Sequence, residues 1–412
     1  MGIVGGGQLA RMMCEAASAF GVPTIVLAAR PDDAATSAAS EVLVGQATDP
    51  AALRALAAKA DVVTFDHEQV DLGVLAGLER EGVCLRPGVG TLRIAVDKAE
   101  MRTRLAAAGV PVPRFEVLGH ADGPGRDARA LARAIAAFAG TGPGGWPVVV
   151  KATRGGYDGK GVWPVGDERA ALSVCERAVR SATPLLAEAH VDIDTELAVV
   201  VARDAHGESV AWPPVETAQI EGVCREVRYP GSLPAGLAAD AASLAREVAA
   251  VVGATGVLAV ELFAAGGRIL VNEIAARPHN SAHWTIEGST TSQFENHIRA
   301  VLGLPLGDPS PSAPQVASVN VFGAPSAGAG RPGDGPDALG TGVPRDGLAA
   351  ALEVKGAHVH LYGKVPRPGR KLGHVTVCGE DAEDVRARAW AAARALGTPV
   401  PASIPLDPLD VP

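Results

Sequence analysis

WPVVVKATRGGYDGKG, residues 146–161, decides how the chain is read. The β-branched run Val148–Val150 reads as a strand that closes on Lys151 and enters a loop with four glycines in the seven residues 155–161. Amides of such a loop can wrap a polyphosphate while Lys151 and Lys160 neutralise it. Gly156, Tyr157, Asp158, Gly159, Lys160 and Gly161 are therefore a candidate phosphate lid, with Tyr157 and Asp158 at its apex, where a merely structural turn seldom places an aromatic. The spacing GxxxxGK[ST] is absent, so this is not a Walker A loop, and an ordinary glycine-rich hairpin is the competing reading.

Downstream, the runs LLAEAHV, ELAVVVA, GVLAVELF and RILVNEI predict an α+β unit with antiparallel strands between Leu185 and Ala276. Glu261 and Glu273 lie on two adjacent strands joined by a hairpin within Ala264–Gly267. A loop of three residues (Ala265–Gly267), or one with one more at each end, puts the two carboxylates on one face as diagonal neighbours about 7 Å apart; a two-residue turn puts them on opposite faces. On one face they repel unless a cation lies between them, and hard oxygen ligands with room for phosphates suit magnesium. Two exposed strand glutamates are the alternative. Directly after comes Arg277-Pro278-His279-Asn280-Ser281-Ala282-His283-Trp284, whose donors suggest an anion or carbonyl site, with Arg277 as bidentate binder and His279 or His283 as polar partner. In His360–His374, Lys364, Arg367, Arg370 and Lys371 fall within eight residues on a Pro/Gly turn, which reads as a phosphate-binding hairpin or a solvated basic turn.

Upstream, the first ninety residues alternate short apolar runs with amphipathic stretches, a βαβαβα rhythm that predicts a parallel sheet. The first strand is very short, so either it pairs weakly or the natural chain begins a few residues earlier. Gly5, Gly7 and Ala10 satisfy GxGxxA, but no acidic residue closes the second strand as a dinucleotide site requires; a phosphate or carboxylate site and a tight packing turn remain open. Asp66 and Glu68 follow the strand VVTF, at the end where open parallel sheets gather ligands. A helical pattern over Val96–Ala108 stops at Gly109, Pro111 and Pro113, a hinge into a second unit. The Gly/Pro-rich stretch Ala324–Pro344 reads as a mobile insertion, and Thr398–Pro412 as a disordered or surface-draped tail.

The chain has 412 residues, a net charge of −9 and 4% aromatics, which excludes bulk attraction to nucleic acid, and no run reaches the 18 or so apolar residues of a membrane span. Five scattered cysteines form neither a disulfide framework nor a zinc pattern, and the start lacks a signal-peptide pattern, so a cytoplasmic protein is expected.

The order of these parts, a glycine-rich loop after a strand lysine, the EAHVDIDTE segment and paired glutamates on a hairpin, resembles the ATP-grasp superfamily. GGGQLARM, GGYDGKG, NEIAARPHNSAHWT with SQFENHIRA, and GKVPRPGRKLGH closely resemble the N5-carboxyaminoimidazole ribonucleotide synthetase family of purine biosynthesis, over about Gly2–Gly397. The resemblance implies an α/β and α+β chain: a Rossmann-like preATP-grasp domain (1–95), an ATP-grasp domain (96–310) with a mobile lid at about 110–187, and a small C-terminal domain (311–412). It implies ATP and Mg2+ as cofactors, Lys98 and Lys151 on ATP phosphates, the lid glycines closing over them, Glu188, Ala189, His190 and Val191 along the adenine and hinge strand, and Glu196 on the ribose. Glu261 and Glu273 would hold magnesium, helped by Asn272. Arg277, His279, Asn280, Ser281, Lys364 and Arg370 would bind the aminoimidazole ribonucleotide or carboxyphosphate, with Gln8, Glu68, Tyr157 and Asp158 near the imidazole and ribose. Arg277, His279, Tyr157, Asp158 and Lys364 are the catalytic candidates; acid and base roles for His279 and Asp158 stay open. The implied reaction is attack of bicarbonate on the γ-phosphate of ATP and delivery of the carboxyl of carboxyphosphate to the exocyclic amine, in a homodimer. Another ATP-grasp ligase, such as a formate-using glycinamide ribonucleotide transformylase, or a nucleotide-binding protein without turnover, are the rivals. Ala10, Ala282 and Gly363 depart from the family pattern.

Overall fold

The structure is a computed structural model that describes residues 1–118, 127–142, 145–155, 160–220, 222–323 and 343–401. Gly156, Tyr157, Asp158 and Gly159, and all of the Ala324–Pro344 stretch but Val343 and Pro344, lie outside the described residues.

Strands β1 (Gly2–Val4), β2 (Ile25–Ala28), β3 (Glu41–Val44) and β4 (Val63–Phe65) make the expected parallel sheet, in the order β3-β2-β1-β4. The three-residue β1 is not weakly paired: it is the buried strand between β2 and β4, and the Met1 ammonium donates to the Pro23 carbonyl at 3.0 Å. Asp49 and Asp71 accept main-chain bonds at the N-termini of helices Pro50–Ala57 and Leu72–Arg80. The helical pattern at 96–108 begins at Lys98, because Asp97 is extended and caps the amides of Ala99 and Glu100.

β5 (Phe115–Val117), β6 (Val148–Ala152), β7 (Val162–Val165) and β8 (Leu185–Ala189) form an antiparallel sheet ordered β5-β8-β6-β7, backed by helices Ala128–Gly140 and Glu168–Arg180. β9 (Thr195–Arg203), β10 (Ser209–Ala211), β11 (Val215–Ile220), β12 (Val223–Tyr229), β13 (Gly256–Ala265), β14 (Arg268–Ala275), β15 (Gln315–Phe322), β16 (Ala357–Leu361) and β17 (Lys371–Gly379) form a nine-stranded sheet, ordered β14-β13-β9-β11-β12-β15-β17-β16 with β10 beside β9. The last three strands continue the central sheet through the β12–β15 pairing, which brings the 364–371 turn round to the first sheet. Helix Ala235–Val251 packs under β9 and β13; helix Ala382–Ala395 buries Trp390 under β15 and β17.

The tail is not loose from its start: Thr398 is 3% exposed and its hydroxyl accepts from the Phe322 amide at 3.0 Å. The insertion likewise re-enters the core at Val343. Ala282 carries no positive φ, so the missing glycine costs nothing there. Gly363 sits at φ +64°, a conformation that favours glycine.

Candidate active site

The glutamate hairpin differs from the expected loop. Ala265 pairs with Arg268, leaving a two-residue turn, Gly266–Gly267, with φ of +54° and +73°, the left-handed pair that a type I′ turn demands. Such a turn alone would set Glu261 and Glu273 on opposite faces. A bulge after Glu261 restores them: Leu262 faces Val271, Glu261 faces Glu273 directly, and Asn272 is the extra residue. Burial first, then the charges of Glu273 and Glu196, push the Glu261 carboxyl up to about 7. Lys98, the first residue of helix Lys98–Ala107, forms an ion pair with Glu273. Among the described residues no group of three or more His, Cys, Asp or Glu could hold a metal alone. Two opposed carboxylates that repel each other fit magnesium, which takes most of its remaining ligands from water and phosphate.

Lys151, at the end of β6, is held from two sides. Glu188 Oε2 lies 2.6 Å from its ammonium, and Asn272 Oδ1 accepts from it at 3.2 Å. Arg102 Nε meets Glu188 Oε1 at 2.6 Å, with both side chains nearly inaccessible. Burial lowers the Lys151 ammonium; it would raise Glu188, but Arg102 and Lys151 hold that carboxyl below its usual range. The side chain of Glu188, expected along the adenine strand, is thus turned into the protein, and Arg102 is a residue that sequence reasoning missed. Ala189 donates from its amide to the Arg114 carbonyl, His190 is exposed beside Asp192, and Val191 is half-buried. Lys160 is exposed, and Gly161 accepts from the Ala152 amide through its carbonyl. Glu196 is raised by burial and shares a small cleft with Glu261, Asn272 and Ser281.

A cavity of about 1070 Å³ separates the glutamate hairpin from the first sheet. Glu261, Glu273, Lys98 and, beside Glu261, His279 line it at the hairpin; Lys364, bound to Gln8, lines it with Arg370 at the first sheet; Glu68, Arg277 and Asn280 line it too. Lys371, the last cation of the basic turn, is also in the wall, near enough to Glu261 to favour its charged form. Arg277 Nε donates to Glu68 Oε2 at 3.0 Å, so the two hold each other. Burial, then Arg277 and Lys371, push His279 down to about 3, so its imidazole is neutral. Its Nε2 lies 3.6 Å from Glu261 Oε1. Ser281 does not reach the cavity: it is 2% exposed and its hydroxyl meets His279 Nδ1 at 2.9 Å, so it orients His279. Both polar atoms of the Asn280 amide are buried at the cavity wall without a hydrogen-bond partner among the described residues, as expected of a group that waits for a ligand.

The GxGxxA turn holds one of the protein's own carboxylates. Asp66 Oδ2 accepts from the Gly7 amide at 2.7 Å, and a Cβ at Gly5 would overlap Asp66 Oδ1. Burial raises the Asp66 carboxyl. Lys364 Nζ binds Gln8 Oε1, and burial, then Arg370, bring its ammonium down to about 8.

Three families match the chain: the ribonucleotide synthetase preATP-grasp domain over residues 1–96, the ATP-grasp domain over 103–294 and the phosphoribosylaminoimidazole carboxylase C-terminal domain over 317–388. The N5-carboxyaminoimidazole ribonucleotide synthase of Mycobacterium bovis is 44% identical over 393 residues, 95% of this chain and 86% of that protein. Its counterpart from Corynebacterium ammoniagenes is 40% identical over 397 residues, 95% and 90% of the two. The solved structure of the Aspergillus clavatus N5-carboxyaminoimidazole synthase, in complex with ADP and 5-aminoimidazole ribonucleotide, superposes with a TM-score of 0.81 at 29% identity, covering 96% of this chain and 98% of that one. The Thermus thermophilus N5-carboxyaminoimidazole ribonucleotide synthetase gives 0.80 at 33% identity, covering 97% and 99%. At these identities over nearly the whole chain, with all three domain families matched in order, this chain belongs to the N5-carboxyaminoimidazole ribonucleotide synthase family of ATP-grasp ligases.

Proposed function

We propose that this chain carboxylates 5-aminoimidazole ribonucleotide with bicarbonate and ATP, giving N5-carboxyaminoimidazole ribonucleotide, ADP and phosphate, and that the 1070 Å³ cavity is where it does so. The observation that carries the site is the polarity of that cavity. Two carboxylates and Lys98 stand at the hairpin, and Lys364, bound to Gln8, stands with Arg370 beside the first sheet, so a triphosphate and a ribonucleotide phosphate can enter from different sides with their reacting groups between.

Glu261 and Glu273 would hold magnesium, which would supply positive charge against the transferring phosphoryl group. The chain's own residues do the rest. Lys98 and Lys151 bind ATP phosphates, with Asn272 and Glu188 keeping Lys151 in place. Ala189, His190, Val191 and Glu196 border the nucleoside, and Lys160 and Gly161 the phosphates. Arg277, fixed by Glu68, holds the carboxyphosphate oxyanion. Neutral His279 can take a proton only by placing a second charge beside Arg277, so we assign it to holding the intermediate and not to acid catalysis. Lys364 and Arg370 bind the ribonucleotide phosphate, and Gln8, Asn280, Tyr157 and Asp158 the imidazole and ribose. The units 1–95, 96–310 and 311–412 correspond to these tasks. Five free cysteines accord with a reducing cytoplasm, and no described helix is long and apolar enough to cross a membrane. A homodimer is the assembly to look for by light scattering.

The test is ADP release from MgATP with one component withdrawn at a time. Release that requires both bicarbonate and 5-aminoimidazole ribonucleotide is expected. Full release without the ribonucleotide would send the search to another acceptor.

A further inference from the structure

Three histidines that take no part in the cavity pack together beside it. His283 and His374 have ring centroids 4.8 Å apart, and His374 stacks on His360 at 4.5 Å with 10° between the planes. The Tyr362 hydroxyl meets His374 Nδ1 at 2.8 Å, His360 Nε2 meets Glu287 Oε1 at 2.6 Å, and Gln293 Nε2 meets His283 Nδ1 at 3.2 Å. His283, His374, Tyr362 and Gln293 are each no more than 2% exposed.

Each end of this stack grips a residue of the cavity. At one end the Lys364 ammonium lies 5.5 Å from the Tyr362 ring centroid, and the Tyr362 amide donates to the Leu372 carbonyl at 2.8 Å, which closes the turn carrying Lys364, Arg370 and Lys371. At the other end Gln293 clamps the main chain of His279 on both sides: Oε1 accepts from its amide at 2.8 Å, and Nε2 donates to its carbonyl at 2.7 Å. The contact path is therefore continuous from Lys364 through Tyr362, His374, His283 and Gln293 to His279.

Hydrocarbon would fill this space more cheaply. Nε2 of His283, Nε2 of His374 and Oε2 of Glu287 are buried without a hydrogen-bond partner among the described residues, and each such group carries a desolvation cost. The cluster is not a metal centre, since no described group of three such side chains could hold an ion. What directional bonds supply and apolar packing does not is a fixed orientation of the two gripped segments. We infer that Gln293, His283, His374 and Tyr362 are positioning residues that set the spacing between Lys364, at the ribonucleotide-phosphate end of the cavity, and His279, at the glutamate end. The inference rests on the assignment of Lys364 to the ribonucleotide phosphate.

The experiment measures kcat and both KM values of the full chain for Tyr362→Phe, Gln293→Glu, their double variant and Lys364→Ala. Tyr362→Phe is expected to raise KM for 5-aminoimidazole ribonucleotide about fivefold with that for ATP within about twofold, and Gln293→Glu to lower kcat about tenfold. The double variant should depart from the product of the singles in kcat/KM by about threefold or more. A double variant equal to that product, or equal rises in both KM values, overturns the inference. If Lys364→Ala raises the ribonucleotide KM while Tyr362→Phe does not, the inference fails and the site assignment stands; if Lys364→Ala leaves that KM unchanged, both fail. Should Gln293→Glu not fold, the unaltered protein decides: the imidazole ring NMR signals of His283 and His374 must move when the ribonucleotide is added, and stationary signals overturn the coupling.

Discussion

Lys364 shows how a single side chain can tie the reaction to pH. Its ammonium is brought down to about 8 by burial and then by Arg370, far from the usual lysine range. In the free enzyme it is charged below that pH and neutral above it, so attraction for a phosphate dianion fades as pH rises through 8. Bound phosphate favours the charged form and lifts the pKa again, so the loss belongs to the free enzyme. We therefore expect kcat/KM for the ribonucleotide to fall by up to about eightfold between about pH 7.5 and 9, as the charged fraction of Lys364 does, with kcat level and with Lys364→Arg removing the fall. A wild-type profile as flat as that of Lys364→Arg would take Lys364 out of the phosphate site. Whether a residue of this kind is legible in the sequence depends on where its partners lie. Arg277, His279 and Asn280 are neighbours in the chain, so their density shows the site. Gln293 serves His279 from 14 positions away and Arg102 serves Glu188 from 86, and nothing local distinguishes either from any other buried or helical residue.

At the scale of the element, the glutamate hairpin joins a legible feature to one that is not. Two consecutive glycines flanked by strand patterns point to a tight turn, and Gly266 and Gly267 make one. The bulge at Asn272 has no such signature, because it is a one-residue shift inside the β13–β14 ladder, and a pattern of alternation cannot reveal it. The bulge is what lets a two-residue turn coexist with carboxylates on one face, and it leaves Asn272 to reach Lys151 while Glu273 reaches Lys98. Nothing lies within 4 Å of a Cβ built at Gly267, so a side chain there meets only backbone strain. Gly267→Ala should lower stability by about 1 kcal/mol, and Gly267→Asn by clearly less, because asparagine tolerates the left-handed region. Chemical denaturation reads the difference, and equal losses for the two variants would mean that the turn is not set by its φ angles.

For the whole molecule, the question is what keeps three sheets in register around one cavity. The first sheet leads into helix Lys98–Ala107, which carries Arg102; the second sheet supplies Lys151 from β6 and Glu188 from β8; the third supplies Asn272 from β14. These four side chains meet in one buried polar junction. A junction of charges is a costly way to hold elements together, since apolar side chains of similar volume often do so as well. It is retained here because Lys151 has to stay charged at the edge of the phosphate site, and a buried ammonium requires a carboxylate, which in turn requires a second cation for its other oxygen. The arrangement predicts an asymmetry. Arg102→Met leaves Glu188 Oε1 buried with no donor and should lower stability by about 3 kcal/mol. Lys151→Met leaves Glu188 Oε2 without its donor in the same way, but it also removes an ammonium whose own burial is unfavourable, so it should cost less stability while abolishing most turnover. Urea unfolding followed by tryptophan fluorescence measures the first quantity and ADP release the second. If Arg102→Met and Lys151→Met proved equally destabilising, Glu188 would serve both cations alike, and the junction would be a structural clamp with no bias towards the phosphate site.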